Sequence, residues 1–152
     1  MTTHDDATEL LQRLTEFRRT LEPAFGPDTA VSGSAPSPPS TGHCAVVAAL
    51  TYLREGGELV STRVEGESHW FNRFPGGVRA GGDLDVDLTA DQFGGPPVRS
   101  GPSGTLYAQT RTRGWAELNA ETLQRAERLA ARAGLDDLST KLRSGLFDRP
   151  ES

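Results

Sequence analysis

The sequence predicts an α+β fold in which a buried helix carrying Cys44 packs on an antiparallel sheet, with further helices flanking it at both ends. Three observations predict it. Residues 44–54 are apolar nearly all the way round, which marks a helix enclosed by other elements. The stretches ELVSTRVEG, SHWFNRF and DLDVDLT are short, rich in β-branched or aromatic residues and separated by glycine-containing turns, the pattern of an antiparallel meander. Amphipathic spacing precedes and follows this block.

Taken in order, residues 5–22 carry Leu10, Leu14, Phe17 and Leu21 at helical spacing, after Asp5 and Asp6 and before Pro23 and Gly26, so they predict a first helix. Residues 26–40 are rich in proline, serine and glycine and have no periodicity, which predicts an irregular segment. A loop of that length inside a domain is commonly functional, and this one leads onto Cys44. The apolar helix stops at Gly56 and Gly57, and three strands follow. A fourth strand is expected at residues 104–112, GTLYAQTRT, reached through GGPPVRSGPSG read as a connection. Residues 119–133 predict a long helix with Asn119 as cap, Glu121 in the first turn and Gly134 as stop, and a short helix at 136–144 follows. The whole is expected to be one domain spanning residues 1–152, with the helix-and-sheet core at 40–113 and the C-terminal helices within 119–145.

Composition narrows the function. A formal net charge of -5 offers no basic excess for a phosphate backbone, so a nucleic-acid partner is not expected. The N-terminus has neither the positive nor the apolar region of a signal peptide, and the longest apolar run, CAVVAALTYL, is too short to cross a bilayer. A cytoplasmic protein without a membrane partner is expected. The single cysteine allows no internal disulfide and no multi-cysteine zinc cluster, so its thiol serves packing or chemistry.

Chemistry has a candidate. A helix N-terminus holds unpaired N–H groups and the positive end of the helix dipole, and both favour a thiolate over a thiol. Such a sulfur needs a base and a group that orients the base. Of the histidines, His4 lies in the N-terminal tail, and His43 adjoins Cys44 in a direction unsuited to sharing its proton, which leaves His69. Antiparallel pairing of SHWFNRF with DLDVDLT about a turn near Val78 would place His69 opposite Asp87 and Arg73 opposite Asp83, with Leu84, Val86 and Leu88 together on the other face. A slip of two residues would bring Asp85 to His69 instead, which makes Asp85 the reserve acid. Asn72 is a weaker reserve, since alternation sends it to the face opposite His69. At least one of Asp83, Asp85 and Asp87 is expected to be only solvated. Their alternation is not a calcium loop, because Leu88 stands where the tight turn needs glycine.

The run GHCAVVAALTYLREGGELVSTRVEGESHWFNRFPGG, followed by DVDLTADQF, resembles the YunG-like family of small bacterial proteins, whose pattern reads GQCA, an apolar helix, GG, a strand, SHYWNR, G and VDLTxxQF. The resemblance covers roughly residues 40–93. It implies a compact papain-like or transglutaminase-like fold with cysteine, histidine and aspartate in that chain order, here Cys44, His69 and Asp87. The family pattern has glutamine immediately before the cysteine where this chain has His43. His43 is thus the position at which an oxyanion donor would differ, with Trp70 and Asn72 as further candidates for the cleft.

The leading expectation is a thiol-dependent acyl-transfer enzyme without cofactor or metal, acting on small-molecule or peptide-like amides or thioesters. Its substrate would enter between the Pro/Ser segment and the glycine-rich loop at 75–82. A non-catalytic module binding a small molecule or a protein is the alternative. A mononuclear zinc hydrolase using Cys44, His69 and Asp87 is a third, weaker reading.

Overall fold

The computed structural model describes residues 3–35, 38–77 and 81–144. It is α+β, with four α-helices and a five-stranded antiparallel sheet. Helix α1 spans Thr3–Leu21 and α2 spans Cys44–Glu55; the strands are β1 (Glu58–Val64), β2 (Glu67–Phe74), β3 (Leu84–Asp87), β4 (Arg99–Pro102) and β5 (Arg111–Arg113), and helices α3 (Ala120–Arg132) and α4 (Asp136–Ser144) close the order. The strands lie side by side as β4-β3-β2-β1-β5.

Local chemistry accounts for most of these elements. Between β1 and β2 the turn is Glu65–Gly66, both with positive φ (53° and 84°), the two-residue geometry whose twist matches that of antiparallel strands. The side chain of Asn119 accepts a hydrogen bond from the Thr122 amide and caps α3. Leu14, Phe17 and Leu21 of α1 meet Val46, Val47 and Leu50 of α2, Ala126 and Leu129 of α3, Leu138 of α4, and Phe74, Leu84 and Val86 of the sheet in one core. Each large apolar side chain so enclosed contributes about 1.5–3 kcal/mol.

The helices therefore cover one face of the sheet. Asn72 lies on that face, fully buried, and its Nδ2 donates to the Ala48 carbonyl of α2 at 3.1 Å, which docks the helix at a fixed height. The alternate residues of β2, His69, Phe71 and Arg73, point to the other face. A strap formed by residues 103–110 covers them: Gly104 N–H bonds Asp85, Thr62 Oγ1 donates to the Ala108 carbonyl at 2.9 Å, Arg73 Nη2 bonds Thr110 Oγ1, and the Tyr107 ring lies 5.2 Å from that of Phe71.

Four expectations are corrected. The β2–β3 register is displaced by two residues, with Asn72 opposite Val86, Arg73 opposite Asp85 and Phe74 opposite Leu84. Arg73 thus pairs with Asp85 and not with Asp83, and the turn near Val78 falls outside the described residues. The displacement keeps every residue on its expected face, so Leu84, Val86 and Leu88 still enter the core. Residues 104–112 are not one strand: only Arg111–Arg113 pair with β1, because Gln109 takes positive φ (55°) and the polar groups before it are committed to the strap. The connection GGPPVRSGPSG contains β4, which pairs with β3. Finally, none of the three aspartates is merely solvated, since Asp83 accepts from the Gly76 amide at 3.3 Å.

Candidate active site

Strand β3 ends at Asp87 and pairs β2 only along residues 72–74, so the first half of β2 has β1 as its one neighbour. At this open edge the fold brings together Cys44 from the start of α2, His69 from β2 and Asp87 from the end of β3. His69 is 1% exposed, and its Nε2 lies 2.7 Å from Asp87 Oδ2. The carboxylate can only accept, so Nε2 carries the proton. The contact is reached diagonally across the displaced register, not as the direct ladder pair expected from the sequence.

Asp87 is fully buried and accepts from four donors. Oδ2 takes His69 Nε2 and the Tyr107 hydroxyl, and Oδ1 takes the Thr89 amide at 2.9 Å and the Thr89 hydroxyl at 3.2 Å. Burial first of all, and then the Asp87 charge, raise the pKa of Tyr107, so its hydroxyl stays a donor.

With Nε2 committed, Nδ1 is the ring nitrogen left for Cys44: it is buried and has no hydrogen-bond partner among the described residues, and Cys44 stands near enough to act on the ring. Burial alone would lower the His69 pKa. The hydrogen-bonded Asp87 carboxylate first, and then the neighbouring Cys44 sulfur, outweigh it and raise the pKa to about 9. At neutral pH the ring is an imidazolium held between a sulfur and a carboxylate. Cys44 itself is partly exposed, and no side chain caps α2, so the N–H groups of its first turn remain beside the sulfur. Phe93, 41% exposed, sets its ring edge-on to His69 with centroids 4.7 Å apart and forms an apolar wall.

A second buried network positions the approach to Cys44. Arg18 of α1, 2% exposed, donates to both Asp91 oxygens at 3.0 Å and to the Leu88 carbonyl at 2.8 Å. Ser40 donates to Asp91 and lies 3.3 Å from the Thr89 carbonyl. Burial opposes ionisation of Asp91, but Arg18 and Ser40 hold its pKa below the usual range. One carboxylate thereby ties α1, the loop before Cys44 and the segment after Asp87 together.

The remaining sequence candidates lie elsewhere. Both ring nitrogens of His43 are engaged: Nδ1 donates to the Thr41 carbonyl at 3.1 Å, which leaves Nε2 to accept from the Thr29 hydroxyl at 2.7 Å, and the ring stacks on Phe25 at 4.2 Å. Neither nitrogen is left for an oxyanion. Trp70 packs on the helix-covered face with Ala48, Ala49 and Leu59, under the Arg113 guanidinium, and Asn72 is spent on Ala48. Asp85, fully buried, takes Arg73 at 2.7 and 3.2 Å and is no partner for His69. Among the described residues no group of three His, Cys, Asp or Glu side chains could hold a metal ion. A cavity of about 840 Å³ lies beyond His43, with Phe25, Pro27, Ala30 and Pro39 in its lining, which includes neither Cys44 nor His69.

Sequence reasoning missed Tyr107 and Thr89. For Thr89 a signal existed, because an aspartate readily bonds the amide and hydroxyl two residues on, as in Asp-Leu-Thr. For Tyr107 there was none, since its residue types read equally well as a strand.

A family model described as YunG protein matches residues 13–132. No curated protein and no solved structure matches the chain.

Proposed function

The chain belongs to the YunG family, and we propose that it is a thiol-dependent acyl-transfer enzyme in which Cys44 is the nucleophile, His69 the general acid and base, and Asp87 the group that orients His69. One observation carries the reading: a buried imidazole, bonded through Nε2 to a carboxylate saturated with donors, keeps a free Nδ1 near a partly exposed thiol at a helix start. Cysteine at a helix start, histidine on a strand and aspartate on the neighbouring strand follow the order of the papain-like and transglutaminase-like arrangement, and we assign the fold to that class as part of the proposal.

The Cys44 thiolate attacks the carbonyl carbon of an amide or thioester, and the electron pair of the C=O moves to oxygen. First-turn amides of α2 donate to that oxyanion. As the tetrahedral intermediate collapses, the C–N or C–S bond breaks and the Nδ1 proton of His69 passes to the leaving group. Water or an amine then attacks the acyl thioester and gives its proton to Nδ1, and the thiolate leaves. Asp87 keeps Nε2 protonated throughout and so aims Nδ1 at the reacting atoms. Phe93 beside the ring suits acyl groups with an apolar portion.

Alkylation of Cys44 by iodoacetamide at pH 7 tests this. The native protein is expected to react at least about tenfold faster than His69→Ala, and an electrophilic acyl probe should label Cys44 with release of its leaving group. Equal rates in the two proteins would overturn the proposal. The cavity beyond His43 favours the second reading, a small-molecule-binding module. Sluggish labelling of native Cys44, combined with saturable binding of an apolar ligand at that cavity, would select it.

A further inference from the structure

The far end of the sheet, away from β3, carries a cluster of cations that the acyl-transfer reading does not use. Register places Ser61 opposite Trp70 and Arg111, Arg63 opposite Ser68, and Leu59 opposite Arg113. Paired residues of antiparallel strands share a face, so Arg63, Arg111 and Arg113 stand together with the hydroxyls of Ser61 and Ser68. Like charges on adjacent strands repel one another, and this chain has an excess of acidic residues to place there instead. Among the described residues, the one acid with a salt bridge to these arginines is Glu117, bonded to Arg113 Nη1 at 2.6 Å. Arg113 Nε donates to Ser61 Oγ at 2.7 Å, which fixes that guanidinium, and Arg63 is braced on the Gly66 carbonyl at 2.7 Å. The Arg111 side chain makes no hydrogen bond or salt bridge among the described residues, although its charge helps to hold the Glu117 pKa down.

Strand pairing does not fill the space beside these groups. Gln109, at φ 55°, turns the chain away before it can continue the β5 ladder toward Arg63. The result is a cavity of about 250 Å³ lined by Ser61, Thr62, Arg63, Ser68, Arg111 and Arg113, together with Ala108 and Gln109. Its donors are guanidinium forks and hydroxyl groups, the set that matches a tetrahedral oxyanion.

We propose that this cavity, between β1, β5 and the strap, binds a phosphate-type oxyanion, either free or as the phosphoryl group of a small molecule. Arg63 and Arg111 supply the charge, Arg113 is the pre-positioned donor, and the serine hydroxyls complete the shell. The site adjoins the candidate active site along the chain, since Ser68 precedes His69 and Thr62 is the ladder partner of His69.

Titration of the full chain with inorganic phosphate, followed by backbone amide NMR at constant ionic strength, tests it. Saturable shifts are expected at Ser61, Thr62, Ser68 and Arg111, with a phosphomonoester binding at the same amides; the tighter of the two identifies whether the anion is free or part of a larger molecule. Arg111→Gln and Arg63→Gln should each weaken binding at least about fivefold, and Ser68→Asp should abolish it, with circular dichroism showing that the variants remain folded. Should one arginine variant misfold, the other and Ser68→Asp carry the comparison. Shifts that chloride reproduces, that do not saturate or that persist in the variants would overturn the proposal. Cys44 alkylation reads the acyl-transfer site separately.

Discussion

His43 and His69 are both almost completely buried, at 2% and 1% exposure, yet they are driven in opposite directions. Burial holds the pKa of His43 below its ordinary value, because its neighbours are a threonine hydroxyl and a carbonyl with no formal charge, and Arg18 and Arg125 add to the lowering. The same burial acts on His69, where Asp87 and Cys44 outweigh it. The lesson is that enclosure does not decide whether an imidazole is charged; the charge on its partner does. One histidine is a neutral brace for the loop that leads to Cys44, and the other is a cation poised beside the sulfur.

The largest effect on this contrast comes from removing its cause. Asp87→Ala leaves His69, Tyr107 and Thr89 without their shared acceptor and should cost about 3–5 kcal/mol in denaturant unfolding. Asp87→Asn preserves the volume and converts His69 into a histidine of the His43 kind, so its pKa measured by NMR should fall from about 9 to below the ordinary 6.5. A value still near 9 in Asp87→Asn would break the comparison.

Next comes pH. The folded pKa of His69 exceeds its unfolded value, so its contribution is present in full below about pH 6.5 and is lost as pH rises to about 9. On the order of 1–3 kcal/mol should disappear over that window, and His69→Gln should flatten it. His43, with a lowered folded pKa, contributes above pH 6.5 and loses its contribution as pH falls. The alkaline and acid limbs of melting temperature against pH therefore report different histidines. Reactivity follows the same sign: the difference in Cys44 alkylation between native protein and His69→Ala should be largest below pH 9 and fade above it.

Smaller still, His43→Ala removes two hydrogen bonds and the stack on Phe25, for about 2 kcal/mol of stability. Alkylation of Cys44 should change less than about twofold, since no nitrogen of His43 faces the sulfur. A large drop would instead give His43 a role at the site. The smallest effect is expected from Tyr107→Phe, which removes one of the four donors to Asp87 at a cost of about 1 kcal/mol. Freed of that donor, the carboxylate holds the His69 proton harder, so the His69 pKa should rise slightly.

Much of this arrangement was legible in residue order. The apolar run from Ala45 to Leu53, its glycine stop and its abrupt start at Cys44 predict a buried helix with a thiol at its N-terminus, because helical periodicity is a local property. Alternation in SHWFNRF and DLDVDLT predicts which residues share a face, and it separates Asn72 from His69 as the folded sheet does. Asn119, Glu121 and Gly134 delimit the α3 helix for equally local reasons. The segment at 104–112 was misread because its β-propensity is real but its hydrogen bonds are made elsewhere, by Tyr107 to Asp87, Thr110 to Arg73 and the Ala108 carbonyl to Thr62.

Sequence by itself determined the helices, the first three strands with their buried faces, and the proximity in chain order of a lone thiol, a strand histidine and an alternating row of aspartates. Tertiary structure alone decided which aspartate does what. A displacement of two residues leaves the alternation of a strand unchanged, so the hydrophobic pattern cannot tell such registers apart. The choice falls to contacts between distant segments: Arg73 captures Asp85, and the strap and Thr89 hold Asp87 where His69 can reach it diagonally.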